Sequence, residues 1–355
     1  MADTEPVLPA THLDVTGAPQ RRAWYAREFP PVEVVRENIV SIPVPVTALP
    51  IRYTLSYLLT GDDGAVLVDP GWGSDEALAA LLAGIQAAGV GIGELRGVVI
   101  THVHPDHHGL TARLLERNPS LWVAMHPGER SLLFSEAAHV DAFVDTYQEW
   151  MASAGIPVTA SLGTHADRLK RTALMPEPTV LLNDGDVVPL AGRRIVAVAT
   201  PGHTPGHLCL VDDQEGVILT GDHVLPRISP NVGGHADGMA SPLRSYLGSL
   251  ARLAGIDHEV LPAHEWRFRG LPARVAELQR HHRERLGDVL VALEKAESST
   301  AWELAQALTW AHGWEGLGEF QQRFAVGETI AHLVYLVEDG AVVADGRTPV
   351  RYRVA

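Results

Sequence analysis

Cysteine and lysine are nearly missing from this chain. Cys209 is the single cysteine among 355 residues, so no internal disulfide can form and no cysteine cluster can hold a metal. It lies in the apolar run His207-Leu-Cys-Leu-Val211, which reads as a buried core thiol rather than a nucleophile. Lysine occurs only at Lys170 and Lys295, and with 43 acidic against 28 basic residues the formal net charge is −15. That balance argues against a polyanion as the default partner, although bound metal ions would dominate the field of any site that holds them. Long apolar runs are also missing: none approaches the ~20 residues that cross a bilayer. The opening Met1-Ala-Asp-Thr-Glu-Pro has no basic stretch followed by an apolar one. With 46% hydrophobic residues and a mean hydropathy near zero, the chain is expected to be a cytoplasmic globular protein with no membrane partner.

What is present is a dense patch of histidine. His102-Val-His104-Pro-Asp106-His107-His108 follows directly on the apolar run Gly97-Val-Val-Ile100. A strand ending there releases the chain into a turn, and Pro105 favours an extended or turned His104. His102 and His104 can then point at one place and Asp106 and His107 at a second. Imidazoles and a carboxylate packed this closely suit a pair of divalent metals; His108 is expected to face away. Three more strand ends carry ligand types. Ile195–Val198 leads into Thr200-Pro-Gly-His203-Thr-Pro-Gly-His207, Val217–Thr220 delivers Gly221-Asp222, and Glu259–Pro262 delivers His264. Placing side chains in loops at strand ends builds a site on a rigid scaffold.

The order His-x-His-x-Asp-His, then His, Asp and His, resembles the metallo-β-lactamase superfamily over roughly residues 34–270, and looks most like its glyoxalase II-type hydrolase branch. The resemblance implies that His102, His104 and His203 hold one metal and that Asp106, His107 and His264 hold the second. Asp222 would bridge them together with a hydroxide. It further implies that Asp69 orients a ligand histidine. His207 reads as a hydrogen-bonding support. Asp106 is the carboxylate expected to orient the hydroxide or pass its proton. Two divalent ions are implied, zinc first and iron or manganese as alternatives. Members that cleave β-lactams usually carry Cys or Ser where this chain has Asp222, and flavodiiron proteins carry Glu where it has His104, so neither activity is expected.

Strand and helix alternate around the cluster, which predicts an α/β fold, an αββα sandwich by the resemblance. Residues 1–33 read as an irregular arm, 34–270 as the catalytic domain and 271–355 as a smaller C-terminal domain. Val34–Val46, Tyr53–Gly61, Ala65–Asp69, Val98–Thr101 and Leu121–Met125 read as strands. Ser74 caps a helix reaching about Ala88, and a second runs from about Leu110 to Glu116. Residues 127–180, including helical Glu136–Ala152, interrupt the two halves of the site and read as a lid or pocket wall. Tyr147, Trp150 and Met151 would line the pocket or pack as core. The Gly/Pro-rich loop after Asp222 supplies candidate substrate contacts His223, Arg227, Asn231 and His235. Helices at 271–297, 301–310 and 327–338, with a hairpin over 340–354, look like a winged-helix-type module. From residue 271 onward there are 9 Lys/Arg and 12 Asp/Glu, so a structural or homodimer role is favoured over nucleic-acid binding despite Arg347, Arg351 and Arg353. The function expected is hydrolysis of a thioester, ester or lactone of a small-molecule substrate; the alternative is a phosphodiesterase or endoribonuclease.

Overall fold

Apolar strands from the two halves of the chain form two facing sheets. The computed structural model describes residues 13–47, 51–133, 137–157, 175–233, 239–311 and 313–355, with backbone alone over 137–143. The first sheet has seven strands in sequence order: β2 (Glu33–Arg36), β3 (Ile39–Pro45), β4 (Tyr53–Gly61), β5 (Gly64–Val68), β6 (Leu95–Val99), β7 (Trp122–Met125) and β8 (Val180–Leu181). The second has six, in the spatial order β1 (Asp14–Val15), β13 (Phe268–Arg269), β12 (Glu259–Pro262), β11 (Val217–Gly221), β10 (Leu208–Asp212) and β9 (Val196–Ala199). Leu59, Val66 and Val99 of the first sheet meet Leu210, Leu219 and Leu261 of the second in a shared core.

Both outer faces are covered by helices, which makes the fold an αββα sandwich. On the first sheet, α2 (Asp75–Ala87) lays Leu78, Leu81 and Ile85 over Ile42, Leu58 and Leu67. Ser74 starts this helix by accepting the Ala77 N–H at 3.1 Å, with Asp75 and Glu76 in the first turn where carboxylates favour the helix dipole. On the second sheet, α7 (Pro242–Leu253) and α8 (Leu271–Ala296) cover Cys209, Ile218 and Val260. Strands β3 and β10 are buried along their whole length, as expected when a sheet is covered on both sides.

Several elements differ from the sequence reading. The span 34–46 is two antiparallel strands, β2 and β3, because the chain reverses at Glu37-Asn38. The arm is not wholly irregular: β1 pairs with β13, and α1 (Ala18–Ala26) buries Gln20, Ala23 and Trp24. Helix α7 had no counterpart in the reading, although Leu243, Tyr246, Leu250 and Leu253 are buried at helical spacing. The last helix, α10 (Glu319–Glu338), begins eight residues before the expected Gly327.

The C-terminal region packs α8, α9 (Ala301–Ala307), α10 and the hairpin β14 (Val342–Ala344) and β15 (Tyr352–Val354) around a further core. Met151, Ala154 and Ile156 enter that core beside Val289, Leu304, Val326 and Leu333. Helix α6 (Ala137–Ala154) is therefore braced against the C-terminal helices, and Tyr147 and Trp150 stack on each other at 5.3 Å. Among the described residues no helix is long and apolar enough to cross a membrane. Because Leu210 is fully buried between the sheets, Leu210→Ala should lower stability by about 2–5 kcal/mol, read as a shifted midpoint in urea at an unchanged slope.

Candidate metal centre

The strand order brings the ligand-bearing ends together. β5, β6 and β7 run parallel, as do β11 and β12, so the residues that follow them emerge on one edge. Asp69 follows β5, and His102 follows β6. One turn later the short helix α3 (Pro105–His108) carries Asp106 and His107. His203 follows β9, Asp222 follows β11 and His264 follows β12. Gly221, at φ +49°, makes the last turn before Asp222; a Cβ there would lie 2.7 Å from His207 Nε2 and 2.9 Å from Thr101 Oγ1.

Hydrogen bonds fix the tautomers of His102, His107, His203 and His264. Asp69 accepts the Thr101 N–H at 2.8 Å, the Thr101 hydroxyl at 2.7 Å and His107 Nδ1–H at 2.9 Å. The Thr101 proton being committed, His102 Nδ1–H donates to Thr101 Oγ1 at 3.1 Å, which leaves a lone pair on His102 Nε2. His203 Nδ1–H donates to the Asn231 carbonyl at 2.6 Å, and His264 Nδ1–H to the Tyr53 carbonyl at 3.0 Å. The Nε2 atoms of His203, His107 and His264 are thereby turned inward.

Those nitrogens meet no protein donor. His104 Nδ1 lies 3.0 Å from His102 Nε2 and 3.1 Å from His203 Nε2. A single proton can satisfy only one of these contacts, whereas a cation satisfies all three nitrogens. His107 Nε2, His264 Nε2 and Asp222 Oδ1 are buried without a hydrogen-bond partner. His264 Nε2 is 3.3 Å from Asp106 Oδ2 and 3.2 Å from Asp222 Oδ1. Three groups can each hold a metal ion: His102–His104–His203, Asp106–His107–His264, and His102–His107–Asp222 between them. The cluster fits a divalent-metal site. All seven ligand types named from the sequence come together here; His108 is buried but belongs to none of the groups.

Charge divides the cluster. Burial, reinforced by His203, pushes His104 down to about 3, and burial likewise lowers His102 and His203, so the three-histidine half is neutral. In the other half burial would also lower His264, but Asp222 and Asp106 outweigh it and raise the imidazole to about 10. His107 is raised in the same way, chiefly by Asp222. Burial would raise Asp106, yet His107 and His264 hold it near 2. Protons on His107 and His264 balance the carboxylates when no metal is bound.

The loop after Asp222 is tied down from several sides. His207 accepts the Asp222 N–H on Nε2 at 3.2 Å and donates Nδ1–H to Thr200 Oγ1 at 2.8 Å, the supporting role read for it. Arg227 donates to Glu265 Oε1 at 2.8 Å, both residues being buried. Asn231 contributes its carbonyl to His203. His223 is fully buried between His207 and Tyr246. Arg274 of α8, fully buried, donates to the Leu225 and Ile228 carbonyls at 2.7 and 2.8 Å. His235 lies outside the described residues. Sequence reasoning missed Arg274, Glu265 and the buried Glu129, since a lone charged residue carries no spacing signal.

A family model described as the metallo-beta-lactamase superfamily matches residues 49–264, and one described as a metallo-beta-lactamase-like C-terminal domain matches 286–355. The probable metallo-hydrolase YqjP of Bacillus subtilis is 26% identical over 318 residues, 87% of this chain and 95% of that protein. The human acyl-coenzyme A thioesterase MBLAC2 is 31% identical over 172 residues, 47% of this chain and 54% of that one. The crystal structure of a metallo-beta-lactamase family protein of Thermus thermophilus superposes with a TM-score of 0.78 at 30% identity, covering 91% of this chain and all of the other.

A pH dependence follows from the charge division. The folded value of His264 lies above its unfolded value of about 6.5, so its proton stabilises the metal-free protein fully below that pH and the benefit disappears as pH rises through about 10. A metal must displace this proton. Because the proton on His107 must leave as well, affinity at Asp106–His107–His264 should climb with pH by up to about a hundredfold per unit below 10, while that at His102–His104–His203 stays level above about pH 6. Calorimetric titration in buffers of different ionisation enthalpy counts the protons released; equal, pH-independent affinities at both halves would refute the division.

Proposed function

The chain belongs to the metallo-β-lactamase superfamily, and from that premise we propose that it is a dinuclear hydrolase of the glyoxalase II-like branch, cleaving a thioester, ester or lactone of a small molecule. The observation that carries this reading is the position of Asp222. Its Oδ1 lies 3.5 Å from His107 Nε2 and 3.2 Å from His264 Nε2, while Oδ2 lies 3.8 Å from His203 Nε2. One carboxylate thus faces both halves, the arrangement that two ions sharing a ligand require.

His102, His104 and His203 would hold one ion and Asp106, His107 and His264 the other, zinc being the first choice for a nitrogen-rich set. Divalent ions held there supply Lewis acidity, which polarises a carbonyl and lowers the pKa of water from 15.7 to about 7. Asp106 remains ionised at neutral pH and would orient an attacking water or pass its proton on. Asp69 keeps the His107 lone pair aimed inward by accepting the proton on its far nitrogen. Asn231 and Tyr53 do the same for His203 and His264 through their carbonyls. A relative that is an acyl-coenzyme A thioesterase supports placing thioesters first.

The rival phosphodiesterase or ribonuclease reading leans on the C-terminal helices and hairpin, whose order resembles a winged helix. Charge weighs against it. Arg351 pairs with Glu303 at 3.3 Å and Arg347 with Asp345 at 3.7 Å, so two of the three hairpin arginines carry an acidic partner, which weakens any basic face offered to nucleic acid.

Turnover on acyl-coenzyme A thioesters, lactones, aryl esters and a bis-aryl phosphodiester tests the proposal. We expect activity on the first three groups, lost on chelation and restored by zinc, with Asp106→Asn lowering kcat by about 10²–10⁴-fold. Cleavage of the phosphodiester alone by the metal-loaded protein would overturn it.

A further inference from the structure

Glu129 is fully buried in the one-turn helix α5 (Pro127–Arg130), at the start of the segment that interrupts the two halves of the site. Each of its carboxylate oxygens accepts one backbone N–H: Oε2 from Val103 at 2.8 Å and Oε1 from Gly206 at 2.7 Å. Val103 separates His102 from His104, and Gly206 lies between His203 and His207. The two donors therefore belong to two ligand loops, one leaving β6 of the seven-stranded sheet and the other leaving β9 of the six-stranded sheet.

The backbones around this carboxylate are also interlocked. A Cβ on Gly206 would stand 2.5 Å from Glu129 N and 2.9 Å from Gly128 C, and a Cβ on Gly128 would stand 3.0 Å from Gly206 Cα. Two glycines let the turn carrying Glu129 lie directly against the His203 loop. A buried donor deprived of its acceptor is costly, so this carboxyl, together with the Leu208 N–H donating to the Thr101 carbonyl at 3.0 Å, sets the gap between the loops. That gap decides whether His203 Nε2 reaches His104 Nδ1, now 3.1 Å away.

We infer that Glu129 is a positioning residue for the His102–His104–His203 half of the centre, setting the separation of the two loops that supply its imidazoles. The inference rests on the cluster being a metal centre and on no particular substrate. Glu129→Gln preserves length and volume, but it turns an amide N–H toward one of the two backbone donors. Glu129→Ala removes both acceptors.

Cobalt(II) titration of the metal-free protein, followed by visible absorption and chelator competition, resolves a three-nitrogen site from one containing carboxylate. In both variants the three-histidine equivalent should weaken by about 10–100-fold, with the Asp106–His107–His264 equivalent unchanged and the metal-free melting temperature close to wild type for the Gln variant. A purely structural role would weaken both equivalents together, and no role would leave both intact; either result overturns the inference. Failure of the wild type to bind two equivalents of cobalt overturns the metal reading and this inference with it, whereas normal binding without ester or thioester turnover counts only against the proposed activity.

Discussion

Lone pairs that face one another at a buried point repel unless a cation joins them. At the edge of this sandwich the nitrogens of His102, His104 and His203 meet within 3.1 Å of His104 Nδ1, and those of His107 and His264 face Asp106 and Asp222. The rings of His102, His203, His107 and His264 are aimed by bonds on their far sides, to Thr101, Asn231, Asp69 and Tyr53. The surrounding fold thus stores an arrangement that is unfavourable alone and favourable with metal. The two halves manage the strain differently. Burial keeps the three histidines neutral, while carboxylates hold protons on His107 and His264.

Keeping such a point rigid requires support from distant parts of the chain. Arg274, on a helix that begins after the last ligand, reaches back to the carbonyls of Leu225 and Ile228. Its buried guanidinium makes α8 part of the frame around Asp222. In the segment between the two halves, α5 places Glu129 between two ligand loops, and α6 ties into the C-terminal core. Helix α8 and α5 thus reach the ligand loops through buried hydrogen bonds.

The ligands were legible because each follows an apolar strand. That pattern survives in one dimension: Ile100 before His102, Thr220 before Asp222, Pro262 before His264. The layered fold was legible for the same reason: α2 matched its apolar spacing and its Ser74 cap, and α8 its apolar spacing. Helix α7 was equally marked by Leu243, Tyr246, Leu250 and Leu253, but the Gly/Pro-rich loop before it drew the reading toward irregular structure. The reversal at Glu37-Asn38 was marked only by the short polar step Arg36-Glu37-Asn38 between Val34-Val35 and Ile39-Val40.

By itself the sequence determined the kinds of ligand, their order and the strand-end loops that carry them, since those depend on local apolar patterning and residue chemistry. Tertiary structure decided which nitrogen of each histidine carries the proton, that Asp222 faces both halves, and that Glu129, Glu265 and Arg274 serve as supports. The reason is physical. A tautomer is set by the partner behind the ring, and a buried charge by what it meets across the fold; for His264 that partner is the Tyr53 carbonyl, 211 residues away in sequence.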